Sequence, residues 1–310
     1  MTGSPGGRGR MPAVPPWTMA LAAMLSVQLS SALAVDLIET VGPAGTAWLR
    51  LSFGALVFLA IARPPLRAVP RTDVPSLLGL GVTTGLMTTT FLAAIERIPL
   101  GTAVAIEFLG PLTVAAVRSH STRALTWPAV ALVGVVLLTE PWRGDVNLAG
   151  VGFAVLAALG WATYILLTQH VGDRFSGITA LSMTVPVAAA TAALLGVPQA
   201  AGHLSFEALA TAAGLAMLMP VLPFILEMLA LRAMTPTAFG TLMALEPALG
   251  VLLGLTVLAQ QPSPAQLVGI VLVVAAGAAA QRDGRRQPPV PGAPAAVLAP
   301  PTPPAPVREG

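Results

Sequence analysis

The sequence predicts an all-α membrane protein, with ten transmembrane helices forming two inverted five-helix repeats. Three observations carry this expectation. Of 310 residues, 55% are hydrophobic and only 9% charged, whereas soluble domains carry about a quarter charged residues. The apolar residues gather in runs long enough to cross hydrocarbon, which takes roughly 20 of them in a helix. The arginines sort to one side when those runs are threaded alternately through a bilayer.

Ten runs lie between loop signals: 17–35, 44–62, 74–95, 99–118, 124–140, 146–168, 176–196, 207–231, 235–258 and 264–281. Arg63-Pro64-Pro65 closes the second run, and Gln261-Pro262-Ser263 leads into the tenth. The first run follows a basic stretch, as a signal peptide does. No convincing small-residue cleavage site precedes Asp36, so it reads as a retained helix. With both termini in the cytoplasm of an inner-membrane protein, thirteen arginines fall inside: Arg8, Arg10, Arg63, Arg67, Arg71, Arg118, Arg123, Arg174, Arg232, Arg282, Arg285, Arg286 and Arg308. Only Arg97 and Arg143 fall outside, and Arg50 lies within the second span. A single miscounted span would scramble this cytoplasmic bias.

Ten spans divide into repeats at 17–140 and 146–281. An odd number of spans per half inserts the halves with opposite orientation, as in many secondary transporters. An offset of 136 aligns Ala94 with Ala230, Pro111 with Pro247 and Pro128 with Pro264, a thin signal of duplication. Residues 1–16 are rich in Gly, Pro and Arg, and 282–310 contain PPVPGAPAAVLAPPTPPAP. Both read as disordered cytoplasmic tails, with a solvated role favoured over partner binding.

Composition also excludes chemistries. The chain has no cysteine, so there is no disulfide, thiolate nucleophile or thiolate metal site. It has no lysine, which removes both a Walker-A nucleotide loop and Schiff-base catalysis. His120, His170 and His203 lie in or beside loops without metal-site spacing. No catalytic set, metal or cofactor is implied, and the net positive charge suits membrane loops better than nucleic acid.

The informative residues are acids in apolar surroundings. Glu107 lies eight residues past Pro99 and Glu246 eleven past Thr235. At about 1.5 Å per residue both fall near the bilayer midplane, where a charge costs roughly 2.5–3.5 kcal/mol on insertion scales. Such a residue faces a bundle interior or a watery cavity, and binds a proton or a substrate ammonium. The plainer reading is an acid hydrogen-bonded between helices. Pro111 cannot donate to the Glu107 carbonyl, and Pro247 leaves that of Met243 free, so both prolines should shape the site.

Glu227 precedes Arg232 by five residues; a gate or proton-entry role there competes with a snorkelling surface acid. Arg50 either holds a substrate carboxylate or pairs with Asp36, Glu39 or Glu107, the pairing being favoured. Gln28, Ser30 and Ser31 in the first span, and Thr83, Thr84, Thr88, Thr89 and Thr90 in the third, suggest a polar lumen only weakly. Trp161 and Tyr164 lie deep enough to line a cavity. GxxxG at 81–85 and 250–254 marks close helix packing.

The stretches IERIPLGTAVAIEFLGPLTVAAV (95–117) and LPFILEMLALRAMTPTAFGTLMALEPALGVLLG (222–254) resemble paired signatures of the drug/metabolite transporter superfamily. The resemblance is to its EamA-type members and, more closely, to the threonine/homoserine exporter family. It extends to SVQLSSALA (26–34), VGPAGTAWLRLSFGAL (41–56) and GWATYILL (160–167). It implies proton-linked export of small hydrophilic amino acids. Gln28, Arg50, Glu107, Pro111, Glu227, Glu246 and Pro247 match family motif positions. The chain departs from the family at Ala259-Gln260, where such proteins commonly carry Gly-Glu; if that glutamate serves coupling in relatives it does not do so here, and if it caps the tenth helix Gln260 can substitute.

The partners expected are therefore an amino acid, a proton and the lipid bilayer, with a homodimer left open beside the monomer. Export of another metabolite or drug, uptake rather than efflux, a lipid-acting enzyme and a tail-driven scaffold stand as alternatives.

Overall fold

A computed structural model describes residues 15–62, 72–118, 125–143, 146–171, 177–234 and 236–283. The Pro-rich segment and nearly all of the N-terminal tail lie outside these residues. Every regular element among the described residues is helical. In chain order these are α1 (Pro16–Ala62), α2 (Val74–Ile95), α3 (Leu100–Glu107), α4 (Leu109–Arg118), α5 (Thr126–Thr139), α6 (Leu148–Val171) and α7 (Gly177–Ala200). They continue with α8 (Phe206–Ala216), α9 (Leu222–Ala233), α10 (Pro236–Met243), α11 (Glu246–Val257) and α12 (Pro264–Asp283). Among the described residues, seven helical stretches are long and apolar enough to cross a membrane, and Pro264–Ala280 adds a shorter apolar one.

Breaks within the apolar stretches give the fold its character. α1 is interrupted at Gly42, whose φ of 75° belongs to the left-handed region that glycine reaches without penalty. Pro43 then opens the second arm, where a missing N–H is tolerated. Gln199, near the end of α7, accepts from the backbone N–H groups of Ala44 (2.8 Å) and Gly45 (3.2 Å) and so caps that arm. A side chain at position 42 would collide with Gln199. α8 and α9 are joined by the π-helical turn Met217–Val221, which contains a cis peptide before Pro220.

The core is one large apolar cluster drawn from both halves of the chain, with alanine its commonest residue, and a small second cluster of Ala20, Met24, Ala230 and Phe239. Alanine and glycine let backbones approach in a setting where water does not drive helices together. Gly81 and Gly85 of α2 lie against Val187, Thr184 and Ala188 of α7, and Gly250 of α11 lies against Val104 and Gly101 of α3. Both GxxxG motifs are therefore packing surfaces. α5 and α12 cross at Gly134 and Gly269, and a Cβ on either would lie 2.6 Å from the other's carbonyl oxygen.

Candidate functional site

Glu107 is the last residue of α3 and Glu246 the first of α11, so both carboxylates sit where an apolar helix breaks. Proline causes each break as the sequence suggests. Phe108 separates α3 from α4 three residues before Pro111, and α10 ends at Met243, whose carbonyl Pro247 cannot reach with a hydrogen bond. Glu246 also lies in the first turn of α11, where exposed N–H groups favour negative charge.

Around these breaks the fold gathers ionisable groups from five stretches of chain. Arg50 comes from the second arm of α1 and is within electrostatic range of Glu107. Glu246 is within range of both Glu107 and Glu227 of α9, and Glu227 within range of Tyr164 of α6. The result is a connected series, Arg50–Glu107–Glu246–Glu227–Tyr164, linking both halves of the chain. Phe108 and Trp161 flank the first break, in edge-to-face contact at 6.2 Å.

The hydrogen bonding of this series is what distinguishes it. Among the described residues, no side chain of Arg50, Glu107, Glu227 or Glu246 takes part in a hydrogen bond or an ion pair. Arg50 is 1% exposed with Nη1 unbonded, and Gln28 on the first arm of α1 is 2% exposed with Oε1 unbonded. Buried polar groups in proteins are nearly always bonded, so each exception points to a missing partner. The expected ion pair of Arg50 with Asp36 or Glu39 does not form: both acids are exposed, and only Glu107 is near.

The hydroxyl clusters have plainer uses. Thr84, Thr89 and Thr90 each donate to the carbonyl four residues back, so their hydroxyl protons are spent within the helix. Ser31 does the same, donating to Val27. Ser26 and Ser30 donate to the carbonyls of Leu218 and Leu215, fastening α1 to the turn that breaks α8 from α9. Thr168, one turn beyond Tyr164, differs: its buried Oγ1 does not bond to a backbone carbonyl and lies beside the Tyr164 hydroxyl. Sequence reasoning missed it, although its position four residues after Tyr164 puts both on one helix face.

A second polar centre lies where α3 begins, α5 ends and α12 begins. Glu140 caps α5 with a φ of 44°, accepts a 2.8 Å hydrogen bond from Ser263 Oγ and pairs with Arg143 at 3.2 Å. Gln266 Nε2 donates to the Leu138 carbonyl. Cavities of about 490 and 260 Å³ open here, lined among others by Thr102, Glu140, Arg143 and Gln266. Gln260 does not cap α12: its Oε1 accepts from Leu100 N–H at the start of α3. α12 is capped by Ser263 and Gln266, each accepting from the other's backbone N–H.

Comparison with known proteins agrees with this architecture. Residues 148–279 match the EamA-like transporter family. The threonine/homoserine exporter RhtA of Escherichia coli strain K12 is 36% identical over 282 residues, covering 88% of this chain and 93% of the relative. RhtA of Salmonella typhimurium strain SL1344 is 34% identical over 294 residues, covering 92% and 97%. One crystal structure aligns over 87% of this chain and 99% of its own with a TM-score of 0.56, and at 19% identity it speaks to the fold alone. The family is one of transporters rather than enzymes, and the apolar helices make the chain a multi-pass membrane protein. Related over almost their whole length to those exporters, the chain belongs to the EamA-type drug/metabolite transporter family.

Proposed function

We propose that the protein is a proton-coupled, secondary-active exporter of small hydrophilic amino acids such as threonine or homoserine, working across the inner membrane. The observation that carries this reading is the series of unpaired charges spanning both repeats at two broken helices. The kinship with exporters named for threonine and homoserine supports the substrate class. Glu107 and Glu246 bind the proton and the substrate ammonium in alternation, so loading one displaces the other. Glu227 and Tyr164 continue the path toward the cytoplasm, and Gln28 supplies a neutral acceptor. Pro111 and Pro247 hold the breaks open.

The reading of ten crossings is supported when Gly42 divides α1 in two and α3–α4, α8–α9 and α10–α11 each count as one broken span, and the arginine distribution argues for cytoplasmic termini. The halves then rock about the charged centre.

The test is counterflow in proteoliposomes. With unlabelled threonine or homoserine inside, labelled threonine should enter above the level of empty liposomes, and an imposed pH gradient should change its rate. Absence of entry with folded, inserted protein rejects the amino-acid assignment.

A further inference from the structure

Arg50 poses a problem that its neighbours do not solve. Other arginines of the chain find partners: Arg97 bonds to Glu96 and the Ala93 carbonyl and lies over the Phe153 ring, and Arg143 pairs with Glu140. Arg50 is 1% exposed, flanked by buried Leu49 and Leu51, and its Nη1 is unbonded. A guanidinium offers five N–H donors in a planar fork, and burying it without an acceptor is among the costlier things a fold can do. Glu107 is close enough to interact through space, yet the two form no ion pair.

A fixed cation and a fixed anion, mutually near but not in contact, form a template for a group carrying both charges on adjacent atoms. An α-amino acid is such a group. Its carboxylate matches the guanidinium fork in two parallel hydrogen bonds, and its ammonium meets the acid opposite. We propose that Arg50 anchors the substrate's α-carboxylate, with the α-ammonium turned toward Glu107. This rests on the reading of the centre as an amino-acid site, and assigns the two ends of the substrate within it. Arg50 is then a binding residue in its own right, and its role goes beyond serving as the counter-ion of Glu107.

Two probes separate the anchor from the counter-ion. Threonine amide keeps the ammonium and the hydroxyl but lacks the carboxylate. In wild-type counterflow of labelled threonine, the amide should compete about tenfold or more weakly than threonine, the loss expected for a charge-assisted bidentate contact. For Arg50→Gln the readout is ligand-induced thermal stabilisation of purified protein, which needs no turnover. There threonine should lose its advantage over the amide, while Arg50→Lys should keep part of it.

Equal competition by threonine and its amide in wild type overturns the anchor and leaves the amino-acid reading standing. Retained discrimination in Arg50→Gln overturns it as well. No threonine counterflow at all removes the amino-acid reading and the anchor with it. If Arg50→Gln does not fold, the wild-type competition decides alone.

Discussion

Glu140 and Glu246 are almost equally buried, at 6% and 7% exposed, and each is followed by a proline. The fold treats them oppositely. Glu140 is fully engaged, holding Arg143 and the Ser263 hydroxyl and tying the end of α5 to the start of α12. Glu246 lies near two other carboxylates and its side chain takes no hydrogen bond among the described residues. Under the proposed function, burial alone does not set a coupling acid apart; the absence of a side-chain hydrogen bond does, since a carboxylate held for structure is normally satisfied by structure.

The sharpest way to break this contrast is to neutralise each acid in turn. Glu246→Gln and Glu107→Gln should reduce gradient-driven threonine counterflow to the level of empty liposomes while the purified protein still elutes as a folded species. Glu140→Gln should keep the transport and lose stability instead. Gradient-driven transport surviving in Glu246→Gln and Glu107→Gln but lost in Glu140→Gln would reverse the assignment of the two centres.

A smaller effect sharpens the structural side. Gly134 and Gly269 bring α5 and α12 into backbone contact, leaving no room for a side chain. Gly134→Val should cost about 1–3 kcal/mol through overpacking, read as a lower melting temperature in detergent. Ser263→Ala removes the hydroxyl that satisfies Glu140 and half of the α12 cap. It should cost about 1–3 kcal/mol, with the response of transport to a pH gradient unchanged. A changed response would mean that Glu140 belongs to the coupling path after all.

Much of this was legible beforehand because membrane helices are governed by local rules. Run lengths, the proline breaks at Pro111 and Pro247 and the exceptional position of Glu107 and Glu246 follow from hydropathy and backbone chemistry. What escaped depends on tertiary partners. Of the two readings open for Gln260, a cap of the tenth helix is not the one realised: it caps α3, more than a hundred residues away in sequence, because α11 packs on α3 and brings the following loop there. The α12 cap was written locally as Ser263-Pro-Ala-Gln266, a capping-box pattern that the neighbouring prolines obscured. Glu140 ends its span whereas Glu246 lies within one, but the partner that engages Glu140 across the fold, Ser263, comes from a distant part of the chain.

The weakest expected effect tests the same idea from the opposite side. Helix α2 carries Thr83, Thr84, Thr88, Thr89 and Thr90, the densest group of hydroxyls in any span. Were hydroxyl density enough to mark a substrate path, removing two of them should disturb transport. Thr84 and Thr89 instead spend their hydrogens on the carbonyls of Leu80 and Gly85, at 2.8 Å each. A valine at either position keeps the shape and leaves those carbonyls in their own helical bonds. The double variant Thr84→Val/Thr89→Val should therefore change stability by less than about 1 kcal/mol and leave threonine counterflow at the wild-type rate. A marked loss of transport with unchanged stability would place α2 on the substrate path, and would show that a satisfied hydroxyl can still be a functional one.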